Sequence, residues 1–374
     1  MRHAIGNVFL ITNLIFSTLL FGQITVPNGY YSGTWAGDTT YVVTGDVYVN
    51  HGQTLTIGAG AVIKFQGNYM MRVEGSLFAN GTVTDSIIFE PYDANATSDG
   101  QWGGLKFLNH SYNQTSKVEL SYFRTSYGGN GSWPNGAVAI HYKQSDQSGI
   151  DSIMISHGLI HNSSDRGVWV YNNGGYNYNL EDELVPGGKP YIHLSNLHIH
   201  SNSQHGIDVE NNYDSEIRMD SLNVHDNAQH GVDISYNYNG TRISIDSLRS
   251  VENSVHGLYI YRLENNTKLK VRNADIHDND QYEVNVSYIG MSSKVSVRKS
   301  KIEDNQENDN YYVIRAYDCC DVNDTGLPIH TLDFRENDWG TTLTATMNSG
   351  TNPQDLERIY DYYSCNWPSI NFCS

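Results

Sequence analysis

The 374-residue chain carries a formal net charge of −18, with 39% hydrophobic and only 17% charged residues. That hydrophobic share excludes a disordered chain, and the acid excess speaks against a nucleic-acid binder, which needs a basic footprint. The 34 Gly and 27 Tyr against 8 Pro, with Asn, Asp and Ser at short intervals, suit many short strands joined by turns and not a helical protein.

In chain order, residues 1–22 read as a cleaved signal peptide. Arg2 and His3 precede an apolar run over 8–21, and Gly22 offers a small residue before Gln23. The run is short for a membrane span of about 20 residues, and no later segment suits one, so an exported, extracellular chain is expected. Residues 23–110 are expected to hold an N-terminal cap and the first coils. Short alternating segments there, such as VYV (47–49), LTI (55–57), VIKF (62–65), MRV (71–73), IIF (87–89) and LKF (105–107), are separated by Gly or Asn.

The central part, 111–335, carries an internal repeat. The segments HSNSQHGIDV (200–209), HDNAQHGVDI (225–234), VENSVHGLYI (251–260), HDNDQYEVNV (277–286) and EDNQENDNYYV (303–313) align on Asn202, Asn227, Asn253, Asn279 and Asn305. An earlier copy, HNSSDRGVWV (161–170), has Ser163 in that place, and an insertion within 171–190 separates it from the next. Three short apolar-alternating segments flank each Asn, for example 217–219, Leu222/Val224 and Val232/Ile234. Strands this short bury their apolar face only by stacking, coil on coil, about 4.8 Å apart. The pattern predicts an all-β, single-stranded, right-handed parallel β-helix of about 25 residues and three strands per coil. The aligned Asn side chains are expected to form a hydrogen-bonded ladder. Residues 336–374 are expected to cap the far end, and Cys319, Cys320, Cys365 and Cys373, all in the last 56 residues, are expected to pair in one of three connectivities.

Outward positions fall into columns. Glu216, Arg242, Lys268 and Lys294 form one; His193, Arg218, Ser244, Lys270 and Ser296 the next; Ser195, Asp220, Asp246, Arg272 and Arg298 the third. Residues 242–301 hold ten Lys/Arg against seven Asp/Glu, a basic face in an acidic chain. Such a face either neutralises an acidic polymer or is an ordinary solvated surface. A corner rich in Tyr213, Tyr236, Tyr238, Tyr259, Tyr261 and Tyr288 adjoins it, and such rings suit sugar binding or simple stacking. His161, His200 and His225, with His277 two coils later, share one place, and His205, His230 and His256, followed by Tyr282, share another. Beside Asp208 and Asp233 these rings read as base and orienter, as metal ligands, or as a plain stack.

Several pieces carry a family resemblance: GDVYVNHGQTLTIGAGAVIKF (45–65), VEGSLFANGT (73–82), QWGGLKF (101–107), the HG-containing coils, and NDWGTT (337–342) with IYDYY (359–363). They resemble secreted bacterial right-handed β-helix repeat proteins of the pectate-lyase-like superfamily. The resemblance implies export, a solenoid fold and an acidic polysaccharide partner, with β-elimination as the expected chemistry if the chain is an enzyme. The superfamily's polygalacturonase-type hydrolases carry neighbouring Asp pairs with Gly-His-Gly, and this chain has neither. On that basis Arg242, Lys268 and Lys270 are candidate bases. Arg218, Lys294, Tyr236, Tyr238, Tyr259 and Tyr261 are candidate sugar-binding residues. Asp208, Glu210 and Asp233 loosely match the calcium-binding carboxylates of the lyases, so Ca2+ is the candidate cofactor. The alternative is a non-catalytic surface or adhesive solenoid. A monomer without nucleic-acid partners is expected.

Overall fold

In the computed structural model the structure describes residues 22–303, except 94, 96–100, 110–115, 131–133, 143–151, 173–190 and 291, and then 314–316, 331–340, 343, 345 and 359–360. Residues 1–21 of the expected signal peptide, most of the expected insertion, Asn305, all four cysteines and most of the expected C-terminal cap lie outside the described residues.

The chain winds as a right-handed parallel β-helix. Among the described residues, seventeen strands form one sheet, here sheet A, and twelve form sheet B. Every strand pairing between named strands is parallel, and each partner lies in an adjacent coil: Ile207 pairs with Val232, Val232 with Leu258, and Leu258 with Val284. Apolar residues two apart point inward and continue from coil to coil. Ile217, Ile243, Leu269 and Val295 form one column, and Val209, Ile234, Ile260 and Val286 another, all buried in a single core.

Two of the three expected strands run together in the central coils. Ser152–His161, Tyr191–His200, Glu216–His225 and Arg242–Val251 are each continuous ten-residue strands of sheet A. Each bends at a single residue of positive φ: His157, Asn196, Ser221 and Ser247. One left-handed residue turns the chain through the corner of the coil without ending the inter-coil ladder. In later coils the two halves separate, as Lys268–Arg272 and Asp275–His277, with Asn273 at the bend.

The Asn ladder forms as expected. Asn202 Nδ2 donates to Asn227 Oδ1 at 2.9 Å, Asn227 to Asn253 at 3.0 Å and Asn253 to Asn279 at 2.9 Å. Glu283 accepts from Asn279 at its end, and Ser163 extends it at the other through a backbone donation to Asn202. A second ladder, not expected from the sequence, lies at the opposite end of sheet B, where Asn212 Nδ2 donates to Asn237 Oδ1 at 2.9 Å.

Candidate functional site

The outward columns of sheet A are those expected. Glu216, Arg242, Lys268 and Lys294 stack in register, as do Arg218, Ser244, Lys270 and Ser296. Their side chains face solvent: Arg242, Lys268, Lys270 and Lys294 are all exposed. The Tyr corner joins this sheet to sheet B. Tyr213 and Tyr238 stack at 5.0 Å between centroids, and Tyr236 meets Tyr261 edge-on at 5.0 Å.

Asp208, Glu210 and Asp233 lie on sheet B instead, and the structure brings them together with residues that were not singled out. One outward column there runs Arg72, Lys106, Ala139, Trp169, Asp208, Asp233, Tyr259, Asn285. These positions point away from the core, yet several are closed off from solvent: Lys106 is 1% exposed, Asp208 2% and Asp233 7%. Beside the column runs the turn that carries Arg166, His205, His230 and His256. Arg166 occupies the His place of its coil, since Gly167 N bonds to His205 O just as Gly206 N bonds to His230 O.

Arg166 is the hub. Its Nε donates to Asp208 Oδ2 at 2.5 Å and its Nη1 to Asp165 Oδ1 at 2.7 Å, with Glu210 Oε2 3.9 Å from Nη2. Its guanidinium lies 4.7 Å over the Trp169 ring, and Trp169 Nε1 donates to Glu210 at 3.2 Å. The sequence signal for Arg166 was present as DRG in the place of QHG, but one substitution in an imperfect early copy did not mark a site.

Burial shifts the titration of these groups. It pushes the Asp208 carboxyl up to about 7, helped by Glu210 and opposed by Arg166. Asp233 is raised well above the usual carboxylate range by burial and by Asp208. Burial lowers His205 to about 3, His230 to about 4 and His256 to about 3, with each neighbouring imidazole or guanidinium adding to the effect for His205 and His256. His205 Nε2 lies 3.6 Å from Asp233 Oδ2, and burial works against the charged form of both.

The histidines stack with centroids 4.9 Å apart for His205–His230 and 4.7 Å for His230–His256, and Tyr259 leans on His230 at 4.6 Å. Their tautomers follow from the backbone. His205 Nδ1 accepts from His230 N, and His256 Nδ1 accepts from Tyr282 N, each at 3.3 Å. The proton of the His205 ring then sits on Nε2. His205, His230 and Asp233 place one ligand atom each within 4.8 Å of one another, but a metal there would have to displace the His205 Nε2 proton and ionise Asp233, which burial opposes.

Residues 29–151 match the family model of a pectate-lyase-like β-helix domain. That third of the chain is thus similar to a pectate-lyase-like β-helix domain, and the candidate site lies on coils that follow the matched stretch. No curated protein sequence matches the chain. Similar solved structures include the A-module of mannuronan C-5 epimerase AlgE6 from Azotobacter vinelandii, at 15% identity and a TM-score of 0.45, covering 84% of this chain and 77% of that one. The AlgE4 A-module from the same organism is 14% identical with a TM-score of 0.41, covering 85% and 86%. The periplasmic alginate epimerase AlgG is 10% identical with a TM-score of 0.33, covering 85% of each chain. At these values the likenesses carry no inference about activity. No helix among the described residues is long and apolar enough to cross a membrane.

Proposed function

We propose that this β-helix is an exported protein that binds an acidic polysaccharide and removes the proton at C5 of a uronate residue. One observation carries the reading: on the outward side of sheet B, carboxyls raised by burial, imidazoles lowered by burial, a phenol and a guanidinium meet at one place. Loss of a proton next to a carboxylate needs three things: neutralisation of that carboxylate, an unprotonated base, and an acid to complete the step. The half-buried groups that substrate can reach are Arg166, Glu210, His230, Tyr259 and Tyr261. Arg166 suits the carboxylate by its planar fork. Half-buried His230, kept unprotonated by burial, suits the base through Nε2, its Nδ1 being closed off from solvent. Tyr259, its phenol raised by burial and by Asp233, suits the acid. Asp208, Asp233, His205 and His256 lie beneath and hold these groups.

The Tyr corner and the columns of Arg218, Arg242, Lys268, Lys270 and Lys294 serve in this reading as the binding strip along which an anionic polymer lies. Calcium takes six to eight oxygens, whereas Asp208 is already held by Arg166, and Ser235 donates to Asp233. The carboxylates fit a guanidinium better than Ca2+, and the proposed chemistry uses no metal.

Two fates follow proton loss. Departure of the 4-oxygen gives elimination and an unsaturated product; return of a proton to the other face gives epimerisation. The test is incubation of the mature protein with alginate, pectate and glycosaminoglycans in D2O. Ultraviolet absorbance of unsaturated uronate marks elimination, and deuterium at C5 without absorbance marks epimerisation. Either signal should fall about 10²–10⁴-fold in His230→Gln and Tyr259→Phe. If Arg242→Ala, Lys268→Ala or Lys270→Ala abolishes the signal while His230→Gln does not, the base lies on sheet A. No signal on any polymer leaves the adhesive solenoid.

A further inference from the structure

The second histidine column is built the opposite way from the first. His161, His200 and His225 stack on the outward side of sheet A, with centroids 5.1 and 5.0 Å apart and rings within 8° of parallel. Each is followed by a residue of positive φ, namely Asn162, Ser201 and Asp226. That backbone turn folds the next side chain back onto the ring. His225 Nδ1 lies 2.6 Å from Asp226 Oδ2, His161 Nδ1 2.5 Å from Asn162 Oδ1, and His200 Nδ1 3.0 Å from Ser201 Oγ. A carboxylate only accepts, so the proton of neutral His225 sits on Nδ1 and its Nε2 presents a lone pair. This is the arrangement that orients a metal-ligating imidazole, with the distal nitrogen anchored by a carboxylate.

A fourth ring completes the cluster. His198 lies two residues before His200 on the same face of the same strand, diagonal to His225. Its Nε2 is 2.6 Å from His225 Nε2, and its ring centre is 5.0 Å from that of His200 and 4.9 Å from that of His225. His198, His200 and His225 are each half-buried, so the cluster is partly open to solvent.

We propose that His198, His200 and His225 form a transition-metal site, with zinc as the reference ion, in which Asp226 and Ser201 orient the ligands. Two His from one strand and one from the neighbouring strand supply three imidazole nitrogens and leave a fourth position to water. Nitrogens on a tetrahedral zinc with bonds of about 2.1 Å stand roughly 3.4 Å apart. The His198–His225 pair, at 2.6 Å, would open slightly to that spacing, and His200, its ring centre 5.0 Å from each, would have to turn a nitrogen toward them. Without metal, His198 donates its Nε2 proton to His225; with metal, that proton leaves Nε2 and both lone pairs turn to the ion. Three imidazoles select zinc, copper, nickel or cobalt over calcium and magnesium. The site is separate from the sheet B cluster and does not depend on the chemistry proposed there.

The experiment is zinc titration of the full mature chain, untagged and stripped with chelator, read by calorimetry and by thermal shift. One Zn2+ per chain is expected, with a melting temperature that rises with Zn2+ and not with Ca2+. His198→Gln and His225→Gln should each remove the site, and Asp226→Asn should weaken it about 10–100-fold. His230→Gln, in the other column, should leave it intact. Co2+ should give the intense visible absorption of a tetrahedral site, a readout independent of stability. The proposal is overturned if wild type binds no more tightly than His198→Gln, or if His230→Gln and not His225→Gln removes the ion.

Discussion

The side chain of Asn227 donates to the side chain of Asn253 at 3.0 Å, across the 26 residues of one coil. The same Asn227 accepts at Oδ1 from both Nδ2 and the backbone N of Asn202, at 2.9 and 3.2 Å. It is fully buried. Replacement by Ala removes an acceptor from two donors that water cannot reach, and each orphaned group costs about 1–3 kcal/mol. Asn227→Ala should therefore lose roughly 2–5 kcal/mol of stability in urea unfolding. Asn223→Ala, which removes only an exposed contact with Arg249, should stay within about 0.5 kcal/mol. Equal losses at both positions would show that the ladder is a by-product of stacking and contributes nothing of its own.

The glycine of each HG pair has a steric reason. A Cβ on Gly231 would stand 2.8 Å from Gly257 O, 2.7 Å from Asn253 Nδ2 and 2.1 Å from Ser250 Oγ. The first of these is backbone and the second is tied into the ladder, so neither gives way cheaply. Gly231→Ala should cost at least the 1–3 kcal/mol typical of overpacking and should disturb the Asn253 side-chain amide resonances. A neutral substitution, seen as an unchanged urea midpoint, would mean that the coils separate more easily than the close contacts imply.

What was legible in the sequence was whatever repeats within one coil. Inward alternation and the aligned Asn depend only on residue type and a spacing of 25 or 26, so the core columns, the first ladder and the outward columns could be read directly. The bend that fuses two strands could not, because His157, Asn196, Ser221 and Ser247 share a backbone angle and no chemical type. The second ladder has the right spacing but is lost in an Asn-rich chain. The candidate sites divide the same way. Asp208, Glu210, Asp233 and Tyr259 were visible as chemistry, but Arg166 and Lys106 gain their meaning from burial on an outward face. The opposite tautomers of the two His columns depend on hydrogen bonds to a following side chain in one case and to the next coil's backbone in the other.

Lys106 gives a pH signature. Its Nζ donates to Gly136 O at 3.1 Å, and burial lowers its ammonium to about 7, with Asp165 pulling the other way. In the unfolded chain the group titrates near its ordinary value of about 10.4. Between these values the unfolded state holds a proton that the folded state lacks, so this group makes stability rise with pH across the window. Below pH about 7 both states are charged and the penalty of the buried ammonium is constant. Comparing wild type with Lys106→Met isolates the contribution: the stability gap between them should shift in favour of wild type from pH 7 to pH 10, by up to about 1.4 kcal/mol per pH unit. A gap that does not change with pH would mean that Lys106 stays protonated in the folded state.

The Arg166–Asp208 pair should show strong coupling. Asp208 is sealed from solvent and its Oδ1 has no hydrogen-bond partner, while Oδ2 is held by Arg166. Removing one partner of a buried pair typically costs about 3–5 kcal/mol, because the other is left uncompensated. Here part of that cost is relieved, since a carboxyl already raised to about 7 can protonate once the guanidinium is gone. Arg166→Met should therefore destabilise most at pH 8 and less at pH 5, where Asp208 is neutral without help. Asp208→Asn should then restore part of the loss at pH 8 and little at pH 5. Urea unfolding of the two single variants and the double at both pH values closes the cycle, with an interaction energy of about 1–3 kcal/mol expected at pH 8. Additive losses at pH 8 would show that Arg166 is held by Asp165, Glu210 and Trp169 alone, and the proposed role of Arg166 as the carboxylate-binding fork would then no longer depend on Asp208.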